Sequence, residues 1–474
     1  MKNTNLVYGV KDNPGVWKTL VLAFQQVLAI LAATIAVPAI IGNGMSQSAA
    51  LLGAGVGTIV YLLFTKFKSP VFLGSSVAFI GSMFAAFGGA ASASVGYLGI
   101  LIGAILAGLV YVVIAVIVKY AGVKWIDKIM PASVIGPTVA IIGLSLSGNA
   151  IGDLFKGSVL VNDVPVASPY LAMLCGLITL ATVIFCSVYG KKMMKMIPFI
   201  IGILAGYLAA TFFTVIGLLA DKPALQLINF GLFKDMQWVP QFTFIEAFKG
   251  FSDAKDFGSY FVTVLVAYVP VAFVVFAEHL ADHKNISSII GQDLTKDPGL
   301  HRTLLGDGIG SMVGAFFGGC PNTTYGESVG CVAISRNASV ITIVYAAIIC
   351  IIAAFFAPFV TFLATIPSCV MGGVCISLYG FIAVSGLKMI QKVDLNENAN
   401  LFTVSVILIA GVGGMVVEIG KVTITSIACA LILGILVNLM TKKSVKAEAT
   451  KTEEKAEVSK DVEEEAAVAE VEEK

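Results

Sequence analysis

Four acids lie in stretches of this chain where an acid needs a reason. Glu278 and Asp282 stand four apart in Phe276-Ala-Glu278-His279-Leu-Ala-Asp282-His283, so they share one helix face. Asp307 falls between Gly306 and Gly308 in an apolar run, and Glu327 closes the polar string Pro321-Asn-Thr-Thr-Tyr-Gly-Glu327. A carboxyl group in hydrocarbon is expensive. It normally faces the interior of a helix bundle, where it accepts hydrogen bonds from a polar solute or carries a proton.

The string from Pro321 to Gly330 is polar, yet apolar runs at 309–319 and 332–334 flank it. Pro321 supplies no N–H, and Gly326 permits backbone geometries closed to other residues. These features predict a break in a membrane helix, with freed backbone groups and Glu327 turned toward a ligand. Such backbone survives at membrane depth only inside protein or beside a water-filled cavity.

His279 and His283 are also four apart, a spacing that zinc sites use. A metalloprotease motif needs its Glu directly after the first His, and here that residue is Leu280. His301, in Asp297-Pro-Gly-Leu-His301-Arg302, reads as a residue that fixes its loop. The eight cysteines are scattered through apolar runs without a Cys-x-x-Cys pair. No metal and no other cofactor is expected.

The elements that carry these residues follow from composition. Hydrophobic residues make up 58% of the 474 and charged ones 12%, with mean hydropathy +0.94. A soluble chain carries roughly twice that charge, so this is a polytopic membrane protein embedded in a lipid bilayer. No basic block points to nucleic acid. The 441–474 tail is acid-rich, lacks aromatic residues and reads as a solvated, disordered appendage.

Apolar runs near the spanning length fall at 17–41, 48–64, 70–88, 95–118, 128–147, 168–189, 197–219, 259–281, 303–319, 321–335, 338–363, 367–387, 400–417 and 422–440. With the N-terminus inside, the short inner connections hold Lys66, Lys68, Lys119, Lys191, Lys284, Arg302, Arg336 and Lys388 among others. Outside the long 220–258 loop, the outer connections hold only Lys156 and Lys421. That asymmetry fits an even count of fourteen with both termini cytoplasmic.

An internal echo adds symmetry. Pro131-Ala-Ser-Val-Ile-Gly136 returns as Pro367-Ser-Cys-Val-Met-Gly372, opening spans 5 and 12. Seven spans apart, equivalent elements run in opposite directions, which predicts two inverted seven-span repeats. Spans 3 and 10 then correspond, and both look interrupted: span 3 opens at Pro70 and carries Gly74-Ser-Ser76.

Together, Pro321-Asn-Thr-Thr-Tyr-Gly-Glu327, Ala277-Glu278-His279, Asp297-Pro-Gly-Leu-His-Arg302 and Val370-Met-Gly-Gly373 resemble the nucleobase–ascorbate transporter family, on its pyrimidine side, from Trp17 to about Met440. The resemblance implies an all-α polytopic membrane protein of fourteen transmembrane segments, with short strands in discontinuous spans 3 and 10. It implies a core domain at 17–126 and 259–363 and a gate domain at 127–219 and 364–440. Segment 1–16 is then a cytoplasmic lead-in and 220–258 an extracellular loop. It further implies substrate contacts from Glu278, Glu327, Val77, Gly326, Tyr325 and, from the gate side, Tyr379. The family pattern has His where this chain has Asp282, so the proton-coupling group lies among Glu278, Asp282 and Asp307.

The implied substrates are uracil and protons, imported by symport across the plasma membrane, with a homodimer as the implied assembly. Uracil alternates N–H donors with carbonyl acceptors, which carboxylates and helix-break N–H groups complement. A purine or xanthine symporter of the same fold, a channel and an intramembrane enzyme are the competing readings.

Overall fold

The computed structural model describes residues 6–441 apart from 123–124, 126–129, 162–163, 192, 235, 254–256 and 420–421. The expected disordered tail, Lys421 and the expected domain boundary at 126–127 lie outside the described residues.

Apolar runs without internal charge become helices, as the hydropathy requires. Among the described residues eight helices are long and apolar enough to cross a membrane. They are Val16–Ile41, Gln47–Phe64, Ala93–Ala121, Ala132–Leu154, Pro169–Tyr189, Pro198–Leu219, Phe257–Ile290 and Ser368–Ile390. A ninth is reached if Val340–Ala354 and Ala357–Thr365, bent by 81°, form one span. The protein is a multi-pass membrane protein. The remaining expected spans are shorter or interrupted.

The departures have local causes. The run at 338–363 is bent because Pro358, in the first turn of its second half, has no N–H with which to continue the helix before it. The run at 400–417 stops as a helix at Val412, before Gly413 and Gly414, the latter with φ of 68°. A hairpin of Val417–Ile419 and Val422–Ile424 follows, and the last apolar helix starts only at Ser426. The 220–258 loop contains the helix Thr243–Asp253, whose Phe244 stacks on Phe316 with ring centroids 4.7 Å apart.

Two segments cross the centre without being continuous helices. Strand Leu73–Ser75 leads through a single 3-10 turn, Val77–Phe79, into helix Ile80–Gly88. Strand Asn322–Thr324 leads into helix Gly326–Ser335. The strands pair antiparallel, Leu73 with Thr324, Gly74 with Thr323 and Ser75 with Asn322, so the two helix N-termini start from one point.

Neighbouring helices satisfy the backbone edges that a two-strand ribbon leaves open. The Thr58 hydroxyl accepts from the Leu73 N–H at 2.9 Å, and Asn322 Nδ2 donates to the Gly53 carbonyl at 3.0 Å. Ser328 Oγ accepts from the Phe72 N–H at 3.0 Å and from Gln26 Nε2. Each closes a backbone or side-chain group that lipid could not solvate. Helices Gln47–Phe64 and Leu300–Gly318 pack through glycine, and a Cβ on Gly53 would lie 2.4 Å from the Gly314 carbonyl.

The two echoed prolines each cap a helix, Pro131 at Ala132–Ser145 and Pro367 at Ser368–Ile390. These helices pack antiparallel, with Gly136 against Gly386 and Ile390, and Gly143 against Tyr379 and Ala383.

Candidate functional site

Beside the strand pair lies a cavity of about 450 Å³, within the range of small-molecule sites. Helix Phe257–Ile290 sends Glu278, Ala281 and Asp282 into it, while the broken segments contribute Val77, Thr323, Tyr325, Gly326 and Glu327. The opposite wall is apolar: Val139, Ile142, Phe199, Leu378, Phe381 and Ile382. Away from the strands the cavity extends past Cys331, Ile334 and Ser385 to Met389 and Lys195.

Each polar group has a traceable position. Glu278 is exposed to the cavity although its helix is otherwise well buried there, and Asp282 and Glu327 are half-buried. Asp282 Oδ2 accepts from the Thr324 hydroxyl at 2.9 Å, which ties the long helix to the second strand. The Tyr325 hydroxyl donates to the Ser75 carbonyl at 2.6 Å and locks one broken segment to the other. Gly74 makes this possible, because a Cβ there would lie 2.5 Å from the Tyr325 ring.

Glu327 sits in the first turn of Gly326–Ser335 and Val77 opens the facing 3-10 turn. First-turn N–H groups have no intrahelical acceptor and a partial positive charge. The site therefore offers carboxylate acceptors and backbone donors side by side, without a fixed cation at its polar end. That arrangement suits a neutral, planar solute carrying both N–H and C=O groups.

Of the residues expected from the sequence, Glu278, Asp282, Glu327, Val77, Gly326 and Tyr325 are brought together on this wall. Tyr379 is not on the cavity wall; it is buried, 2% exposed, within its helix packing. Leu378, Ile382, Ser385 and Met389 take the cavity face at helical spacing, and Tyr379 points about 100° away. Asp307 is also off the wall. It is 1% exposed and bounds a separate small void with Tyr111, Ser311 and Asn322.

The apolar wall and the Asp282–Thr324 bond were not anticipated. A signal for the wall existed in the helical spacing of Leu378, Phe381, Ile382 and Ser385. The bond needs the fold, because its partners are 42 residues apart. Among the described residues no cluster of His, Cys, Asp and Glu has the makings of a metal site. His279 and His283 turn away from the cavity and stack, with ring centroids 4.0 Å apart.

The chain resembles known proteins in sequence and in fold. The profile described as "Permease family" matches residues 17–420. The uracil permease of Bacillus caldolyticus is 38% identical over 92% of this chain and 94% of its own length. The uracil permease of Bacillus subtilis (strain 168) is 36% identical, covering 96% and 99%. That of Escherichia coli (strain K12) is 34% identical, covering 93% and 95%.

Among solved structures, the transmembrane domain of the cyanobacterial bicarbonate transporter BicA aligns with TM-score 0.56 at 16% identity, covering 89% of this chain and 96% of that one. Murine Slc26a9, an anion transporter in the inward-facing state, aligns with TM-score 0.61 at 11% identity, covering 91% and 69%. These two share the fold. Motifs, profile and full-length relatives together make the chain a member of the permease family of nucleobase–ascorbate transporters, a family of transporters and not of enzymes.

Proposed function

We propose that the protein imports uracil together with protons by alternating access. The observation that carries this reading is the cavity in which Glu278 and Glu327 stand beside the N-termini of two broken helices. The carboxylates accept the ring N–H groups, and first-turn N–H groups donate to the ring carbonyls. Each unmade bond in such a site leaves a buried polar group unsatisfied, at about 1–3 kcal/mol. The relatives named as uracil permeases match over nearly their whole length, which favours uracil over a purine.

In this reading residues 17–126 and 259–363 form a core domain that carries the polar wall. Residues 127–219 and 364–440 form a gate domain that carries the apolar wall, and the fourteen segments make two inverted repeats. The antiparallel packing of the two proline-capped helices supports that symmetry. Lys195 and Met389 then mark the cytoplasmic end by the charge asymmetry. The cavity reaches that end, so this conformation is the inward-facing one, in a plasma-membrane protein with both termini inside, working as a homodimer.

The test is uptake of labelled uracil into proteoliposomes under an imposed pH gradient, with xanthine and hypoxanthine as competitors. Saturable, uncoupler-sensitive accumulation of uracil is expected. Uptake that ignores the uncoupler or prefers a purine overturns the reading.

A further inference from the structure

Beyond the cavity acids, the fold holds a second polar centre. Asp307 Oδ2 lies 2.7 Å from His279 Nδ1, and His279 Nε2 lies 3.0 Å from Thr303 Oγ1. The Thr303 hydroxyl also contacts the Leu300 carbonyl, at 3.0 Å. His279 and Thr303 are 0% exposed and Asp307 1%, and none of the three lines the cavity.

Counting hydrogens gives the protonation of this centre. A carbonyl can only accept, so the single Thr303 hydroxyl hydrogen goes to Leu300. The Thr303 oxygen is left as an acceptor, and His279 Nε2 must carry the hydrogen between them. A neutral ring protonated at Nε2 has a bare Nδ1. That bare nitrogen faces a carboxyl oxygen at hydrogen-bonding distance, and two acceptors do not approach so closely without a proton between them. Asp307 Oδ1, the other oxygen, makes no geometrically complete hydrogen bond among the described residues and has the Thr323 hydroxyl as a polar neighbour, a weakly satisfied position for a full buried carboxylate.

We infer that Asp307 and His279 hold one shared proton in a site apart from the substrate cavity, with Thr303 as the positioning residue that fixes the ring tautomer. The inference rests on the proton-coupled reading above and names a protonation site for it. When the proton leaves, Asp307 becomes a carboxylate that accepts from Nδ1–H. The Thr303 hydrogen then turns from the Leu300 carbonyl to the bared Nε2. One proton departs and every remaining donor keeps an acceptor. Other titratable groups packed around the ring are Tyr111, edge-on with centroids 6.2 Å apart, and the stacked His283. Behind His283 lies Tyr61, whose hydroxyl is 2.7 Å from His283 Nε2. Glu278 and Asp282 flank His279 along its own helix but face the cavity.

The test compares Thr303→Val with Thr303→Ser in proteoliposomes. Valine removes two hydrogen bonds from the protonated pair, Nε2–H to Thr303 and Thr303 to Leu300, but only one from the deprotonated pair, Thr303 to Nε2, and so disfavours the protonated pair. The pH at which net uracil uptake is half-maximal should move to lower pH by about one unit, while uracil binding stays within about twofold. Serine keeps the acceptor and should keep the wild-type profile. A valine variant with the wild-type profile overturns the inference.

Should the valine variant not fold, the wild-type protein labelled with ¹⁵N-histidine decides. It has only three histidines, assignable with His283→Asn and His301→Asn. His279 should keep its proton on Nε2 at acidic pH, with Nδ1 showing a shared one; a proton on Nδ1 alone sinks the inference. If wild-type uptake ignores an uncoupler, the transport reading fails instead, and the histidine spectrum still judges the shared proton.

Discussion

The Thr324 hydroxyl donates to Asp282 Oδ2 at 2.9 Å and thereby joins the 34-residue helix Phe257–Ile290 to the strand Asn322–Thr324. Next along the chain come Tyr325, Gly326 and Glu327, so this bond sets how the broken segment presents itself to the cavity. Thr324→Val keeps the shape and removes the donor. Uracil affinity should fall about tenfold, the scale of one hydrogen bond to a charged group, and Thr324→Ser should restore it. Calorimetric titration checks this; valine binding at wild-type strength would detach the bond from the site.

Glu327→Ala should abolish measurable uracil binding, because it removes an acceptor from the first turn of Gly326–Ser335 without touching the strand pairing. Glu327→Gln keeps one acceptor oxygen and should lose about 2 kcal/mol or more. Both variants should elute as folded protein in detergent. Wild-type affinity in either one would move the substrate away from this helix break.

Gly74→Ala tests the joint between the broken segments. The added Cβ would lie 2.5 Å from the Tyr325 ring and 3.0 Å from Thr34 Oγ1. Tyr325 must then shift, and its hydroxyl leaves the Ser75 carbonyl. The melting temperature should drop, and added uracil should stabilise the variant less than it does the wild type. An unchanged melting curve would mean that the ring moves freely.

Much of this is legible in the amino-acid sequence. Uninterrupted apolar runs such as 17–41 and 197–219 became helices close to their expected bounds, because in lipid the backbone has few other options. The break at Pro321 was legible for the same reason in reverse. The hairpin after Val412 was not, since hydropathy alone reads Val417, Ile419, Val422 and Ile424 as further span. Helical segments whose charge is balanced by the fold were also hard to weigh. Asp307 is contacted by His279 and Thr323 comes from another segment, and no local pattern announces either neighbour.

Tyr379 and Phe381 separate what resemblance implies from what helical geometry places. Phe381 lines the cavity, and Tyr379 does not in this conformation. Phe381→Ala should therefore raise the KM for uracil, removing apolar contact worth about 1–3 kcal/mol. Tyr379→Phe keeps the buried ring and should change uracil binding by less than about twofold. A large loss in Tyr379→Phe would mean that its hydroxyl reaches the substrate in another conformation of the transport cycle.

Asp282→Asn isolates charge from geometry at the bond to Thr324. Asparagine retains an oxygen that can accept from Thr324, so the strand stays tied while the titratable proton is gone. Glu278, one turn away on the same wall, keeps its own contact with the cavity. Glu278, Asp282 and Glu327 line one wall of the same cavity, so a proton taken up there is assigned to the set and not to one named acid. Removing one member should uncouple substrate from proton without removing the substrate site. Asp282→Asn should thus keep uracil binding and counterflow exchange, yet lose accumulation driven by a pH gradient. Both are read from one proteoliposome preparation, with and without the gradient. If the variant accumulates uracil with the wild-type pH dependence, Asp282 takes no part in passing the proton between the cavity and the buried pair of Asp307 and His279.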